Sequence, residues 1–213
     1  MLALQLRQPP RQVLGAGPAV LADVLRDDVN LSVWQRRLPA PLQDFCTLLL
    51  ASGEALAESR VIDFSADWRS ALADLAPGFA GAEGHAAFVA DVIWLVEAFS
   101  ELLDVRRVGL RLRVLDQAMC PRFHVDHVPV RLVSTYAGLA SQWLEEGAMD
   151  RRRLGDPAAE PGDATRIHSL QAGDVALLKG ERWEGNEGAG LIHRSPQPQP
   201  GERRLLLTLD WLA

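Results

Sequence analysis

At 213 residues, with 48% hydrophobic and 23% charged side chains and a mean hydropathy of −0.01, the chain has the makeup of one globular unit, which excludes disordered and fibrous classes. The net charge is −6, the 22 basic residues are scattered and Lys179 is the single lysine, so no basic face exists for nucleic acid. Met1 to Pro10 lacks the apolar stretch of a signal peptide, and no apolar run is long enough to span a bilayer. A cytoplasmic protein without a membrane partner is expected, with Cys46 and Cys120 kept as thiols and Cys46 buried as a small hydrophobe.

Residues 1–105 read as mainly helical. Pro18, in Gly17-Pro18-Ala19-Val20-Leu21, suits a first helical turn, and Pro39-Ala40-Pro41 opens a second helix running to about Gly53. Ser65 is placed to cap a short helix carrying Trp68, Leu72 and Leu75. From Glu83 to Leu103 the residues Phe88, Val92, Leu95, Val96, Phe99, Leu102 and Leu103 recur at helical spacing.

After Asp104 the period falls to two, with Val108, Leu110, Leu112 and Val114 alternating with Gly109, Arg111 and Arg113. Further strands are expected at Phe123 to Asp126, Val130 to Tyr136, Thr165 to Leu170, Val175 to Lys179, Leu191 to His193 and Arg203 to Trp211. Many short strands divided by Gly and Pro turns point to a sandwich or barrel, with a jelly roll as the natural closed form. The fold class is therefore α+β in a single domain, residues 1–105 mainly helical and 106–213 forming the barrel. Glu145 to Asp163, charged and rich in Gly and Pro, reads as a mobile loop, a plain solvated one in preference to a lid.

The chemistry concentrates in Cys120-Pro121-Arg122-Phe123-His124-Val125-Asp126-His127 and in a distant Gly190-Leu191-Ile192-His193-Arg194-Ser195-Pro196. On an extended strand His124 and Asp126 project to one face. With His193 they would make a two-imidazole, one-carboxylate set that leaves positions open on a metal, as suits Fe(II) oxygenases. Cys120 shares the parity of His124 and would complete a closed tetrahedral Zn site, while Pro121 argues that regular pairing starts only after it. His127 has the wrong parity, and His85 and His168 read as structural or surface histidines.

The order His-x-Asp, distal His, then an Arg about ten residues beyond resembles the double-stranded β-helix oxygenases that use Fe(II) and 2-oxoglutarate, over roughly Arg107 to Trp211. The resemblance implies that His124, Asp126 and His193 hold Fe(II) and that Arg203, in its Gly-x-Arg setting, grips the far carboxylate of 2-oxoglutarate. Alternation sends only one of Arg203 and Arg204 inward, and spacing selects Arg203, with Arg204 close behind. Tyr136, the single tyrosine, is either a further hydrogen-bonding group for the cosubstrate or a core aromatic with a satisfied hydroxyl.

The strings Cys120 to Asp126, Arg131 to Tyr136, Leu178 to Asn186 and His193 to Pro196 are also similar to an uncharacterised bacterial family, domain of unknown function 1826, over nearly the full length. In the turn Ala137-Gly138-Leu139-Ala140 a more glycine-rich stretch is expected from that family. Three readings follow: an oxygenase acting on a small-molecule or peptide substrate, a cupin-like Zn-binding module linked to metal homeostasis, or a satisfied hydrogen-bond network without metal.

Overall fold

The computed structural model describes residues 9–65 and 67–212. Its strands, in chain order, are β1 (Arg11–Gly15), β2 (Val29–Trp34), β3 (Ala57–Asp63), β4 (Arg107–Leu115), β5 (Val130–Ala137), β6 (Gln142–Leu144), β7 (Ile167–Ser169), β8 (Val175–Lys179), β9 (His193–Arg194) and β10 (Arg204–Trp211). The α-helices are α1 (Ala40–Ala51) and α2 (His85–Leu103). A seven-stranded sheet runs β1-β2-β8-β5-β10-β4-β3, antiparallel except for the β1/β2 pair, and a three-stranded sheet runs β7-β6-β9. The architecture is mixed α/β with a mostly antiparallel sheet and few helices.

Alternation gives the large sheet two different faces. Leu205, Leu207 and Leu209 of β10, Leu132 of β5, Leu110 and Leu112 of β4 and Leu177 of β8 pack against Phe88, Leu95 and Phe99 of α2 and Phe45 and Leu49 of α1. Their neighbours Leu206, Val133, Ala176 and Leu178 turn the other way and meet Trp143 of the small sheet and Leu170 beside it. The candidate ligands His124 and His193 lie on the small-sheet side, and Asp126 reaches this second face through Arg131 of β5.

The helix predicted from Glu83 forms from His85. It starts behind Gly84, at φ +83°, where a Cβ would lie 2.3 Å from the Pro41 carbonyl oxygen. It is tied to the sheet by polar contacts. Arg36 grips both oxygens of Asp91 at 2.7 and 2.9 Å, and Tyr136 donates its hydroxyl to the same carboxylate at 2.6 Å.

The mainly helical reading of residues 1–105 is corrected: β1, β2 and β3 all belong to the large sheet, and Pro18–Leu25 is a 3-10 helix. In β2 the polar Asn30 and Ser32 interrupt the apolar residues, yet all of Val29 to Val33 is buried because both core clusters close on this strand. Asn30 is satisfied there, donating to Ala189 O and accepting from Gln12. The helix expected after Ser65 reduces to a 3-10 turn at Ser70–Leu72.

The segment Glu145 to Asp163 is not a free loop. Met149 is buried with Phe123, Leu144 and Ile192, Gly155 N–H bonds Phe123 O, and Glu160 pairs with Arg194 at 2.5 Å. Among the described residues no helix is long and apolar enough to cross a membrane.

Candidate metal centre

Phe123 sets the orientation of the first ligand strand. Its ring is fully buried with Leu144, Met149 and Ile192, under the guanidinium of Arg194 at 4.2 Å, and Val125 packs against the same cluster. Alternation then turns His124 and Asp126 together to the opposite side. The expected strand over Phe123 to Asp126 is a single antiparallel bridge, in which the backbone N–H of His124 donates to His193 O at 3.0 Å and that of His193 to His124 O at 2.9 Å. This bridge brings residues 69 positions apart face to face, with ring centroids 4.5 Å apart.

His124, Asp126 and His193 each offer one ligand atom within 4.8 Å of the others. His124 Nε2 lies 3.8 Å from Asp126 Oδ1, and His193 Nε2 lies 3.5 Å from Oδ2. Each Nδ1 faces a backbone carbonyl, Arg122 O at 2.9 Å for His124 and Leu191 O at 3.1 Å for His193. A carbonyl only accepts, so each Nδ1 carries the proton and each Nε2 lone pair points at the shared point. Burial pulls the His193 imidazole down to about 4, which keeps it neutral and able to ligate.

Asp126 is held from behind. Nη1 of Arg131 donates to both of its oxygens, at 2.9 and 2.8 Å, and the same guanidinium bonds Asp210 through Nε at 2.6 Å and Nη2 at 3.1 Å. Asp210 also takes Arg111 Nη1 at 2.5 Å. The chain Arg111, Asp210, Arg131, Asp126 balances two carboxylates with two guanidiniums, and it fixes the orientation of the Asp126 carboxylate. Behind it, Gly180 lets the backbone of residues 126–128 pass close, since a Cβ there would lie 2.1 Å from Val128 O and 2.6 Å from Asp126 O.

The residues present fit a divalent ion: two free imidazole lone pairs and one oriented carboxylate at a single point, with positions left open. Cys120 is exposed and outside this cluster, so the described residues do not form a closed four-ligand Zn site. His127 is exposed, His85 is a core residue bonded to Leu75 O at 2.7 Å, and His168 stacks on Trp143 with centroids 4.3 Å apart.

Arg203 and Tyr136 do not join the site. The Arg203 guanidinium turns to the end of α1, bonding Leu50 O and Glu54 O, and Tyr136 lies in the helix-side core on Asp91. Arg204 is the inward residue, 2% exposed, bonded to Leu139 O at 3.4 Å and to Ser195 Oγ at 3.0 Å. Burial pulls its guanidinium down to about 10, and its Nε has no partner among the described residues. Gly138, at φ +84°, allows this approach, because a Cβ would lie 2.3 Å from Arg203 O.

Arg131 and Asp210 escape a sequence reading focused on histidines. The signal for both is a lone charge inside an apolar strand, in Val130-Arg131-Leu132 and Leu209-Asp210-Trp211.

The chain belongs to the family described as protein of unknown function (DUF1826), whose profile matches residues 15–210. No functionally curated protein matches it. Among solved structures it is similar to the dioxygenase for auxin oxidation of rice, at 13% identity and a TM-score of 0.52, covering 96% of this chain and 83% of that one. It is also similar to a prolyl-4-hydroxylase of Pseudomonas putida, at 14% identity and a TM-score of 0.48, covering 91% and 96%. At 13% identity the likeness to the rice protein is one of fold.

Proposed function

We propose that this protein is an Fe(II)- and 2-oxoglutarate-dependent oxygenase, its two sheets forming a double-stranded β-helix with the helices packed on the outer face of the larger one. The observation that carries this reading is the convergence of one ligand atom each from His124, His193 and Asp126 within 4.8 Å of one another. Bound there, Fe(II) and 2-oxoglutarate would supply the electrons that activate O2 as the oxidant, a chemistry that amino-acid side chains lack.

The chain supplies the rest. The Arg122 and Leu191 carbonyls hold both imidazoles in the ligating tautomer, and Arg131 fixes the carboxylate. Two orphaned polar atoms support a buried anionic cosubstrate: Arg204 Nε and Thr135 Oγ1, both on the inner face of the large sheet. A buried guanidinium that bonds only a carbonyl and a hydroxyl leaves its charge unmatched, and a planar carboxylate satisfies it bidentately. The far carboxylate of 2-oxoglutarate is assigned to Arg204 in place of Arg203.

The test is an anaerobic titration of Fe(II)-loaded protein with 2-oxoglutarate, followed in the visible spectrum. A charge-transfer band that needs His193 for metal and Arg204 for cosubstrate supports the reading. One equivalent of tightly held zinc, with neither a band nor 2-oxoglutarate binding on iron, overturns it in favour of a metal-binding module without turnover.

A further inference from the structure

The inner face of the large sheet carries more positive charge than the metal centre uses. Arg111 and Arg131 are matched by Asp210 and Asp126. Arg204 answers the cosubstrate in the reading proposed above. Arg113 remains. On β4 it pairs in register with Leu206 of β10, one step from Arg204, and shares this face with Arg111. Its only polar contact among the described residues is a long 3.5 Å bond from Nη2 to Ser59 Oγ, and its Nε is buried without a partner.

Arg113 does not point into packed core. A cavity of about 170 Å³ opens in front of it, lined by Arg111, Arg113, Met119, Arg131, Leu206 and Thr208. Three of these six residues are arginines, and no carboxylate lines the space. Arg131 lies in its wall while gripping Asp126, so the cavity adjoins the metal centre through a single side chain. Met119 belongs to the same short stretch as His124 and Asp126, and it is half exposed, which gives the cavity an outer rim. Leu206 and the methyl of Thr208 provide an apolar floor.

We infer that Arg113, with Arg111 beside it, docks an anionic group, a carboxylate or a phosphate, on the molecule that this site oxidises. The inference rests on the oxygenase reading and narrows its substrate class: a small anion-bearing molecule, held by its charge in the arginine-lined cavity so that its carbon skeleton extends past Arg131 toward the triad. Arg113 has no carboxylate partner among the described residues, and an anion in the cavity gives its guanidinium a charge-assisted bond stronger than the long one to Ser59. Arg111, already tied to Asp210, supplies field more than a bond.

The experiment separates this anion site from the cosubstrate site. Full-length chain stripped of metal is titrated with inorganic phosphate and, separately, with acetate, following the arginine Nε–H resonances by NMR. The same protein loaded with Mn(II) is then titrated with 2-oxoglutarate. In the wild type one of the two probes binds and shifts the Arg113 signal, and which one binds better tells a phosphate from a carboxylate. Arg113→Gln weakens that probe by about tenfold or more and leaves 2-oxoglutarate affinity unchanged, and Arg113→Lys recovers part of the loss. Unchanged thermal unfolding confirms that each variant is folded.

Failure of both probes to bind the wild type overturns the inference. So does equal probe binding by the Arg113→Gln variant, or a parallel loss of 2-oxoglutarate, which would make Arg113 the cosubstrate anchor. If 2-oxoglutarate binds no form of the protein while phosphate or acetate still depends on Arg113, the oxygenase reading fails and the anion site stands.

Discussion

The two faces of β10 set the contrast around which this molecule is built. Leu205, Leu207 and Leu209 enter the helix-side core, and on that side of the large sheet the polar set Arg36, Asp91 and Tyr136 is internally satisfied. Arg204, Leu206, Thr208 and Asp210 alternate with them on the inner face, where a guanidinium, a hydroxyl and a carboxylate stand among apolar side chains. One strand therefore carries an apolar core on one side and the polar surroundings of the candidate site on the other. Of the unmatched polar atoms on the strands of the large sheet, Arg204 Nε, Thr135 Oγ1 and Arg113 Nε lie on the inner face, and Ser134 Oγ alone lies on the helix side.

That contrast breaks cleanly if the faces are independent. The largest effect is expected from His193→Ala, which removes a ligand and abolishes uptake of one equivalent of Fe(II) or Mn(II), measured by isothermal titration, while the apo fold persists. Leu207→Ala attacks the other face. It is expected to destabilise the chain by about 2–5 kcal/mol in urea unfolding and to leave metal affinity unchanged, because the cavity opens toward α1 and α2. A matching loss of metal affinity would show that the two faces are coupled through the strand.

Arg131→Leu sharpens the comparison within the inner face. It keeps all three ligands but frees the Asp126 carboxylate and leaves Asp210 with Arg111 alone, so metal affinity is expected to fall by about 10- to 100-fold. Loss of the fold instead would assign Arg131 a structural role. The smallest effect concerns the thiols. Burial pushes Cys46 up to about 12, so it stays protonated at every pH up to about 9, whereas Cys120 is exposed near the site. A maleimide reagent on native protein at pH 8 is expected to add once, and not at all to Cys120→Ser.

Much of the large sheet is legible in the sequence because its strands obey simple patterns. Val175 to Lys179 reads as an apolar run between turns, and the alternation from Val108 to Val114 reports one buried face; both form as expected. β2 and β3 were missed for the opposite reason. β2 is buried on both faces, so Asn30 and Ser32 sit inside and blur the period, and β3 at the sheet edge alternates between polar and small residues such as Ser59 and Arg60. Glu145 to Asp163 has no period at all, and its order comes from Met149 and Glu160 finding partners that lie far away in the chain.

The residue types of the centre, their order and the shared parity of His124 and Asp126 are properties of the sequence by itself, because alternation along an extended chain is local geometry. Whether His193 arrives is decided by the tertiary structure, through a backbone bridge between segments that no local rule connects. The choice between Arg203 and Arg204 is of the same kind. A one-residue shift exchanges the faces of a strand, and residues 195–203 between β9 and β10 are irregular, so counting along the chain cannot carry parity from His193 into β10. Only the packed sheet shows which guanidinium lies on the inner face.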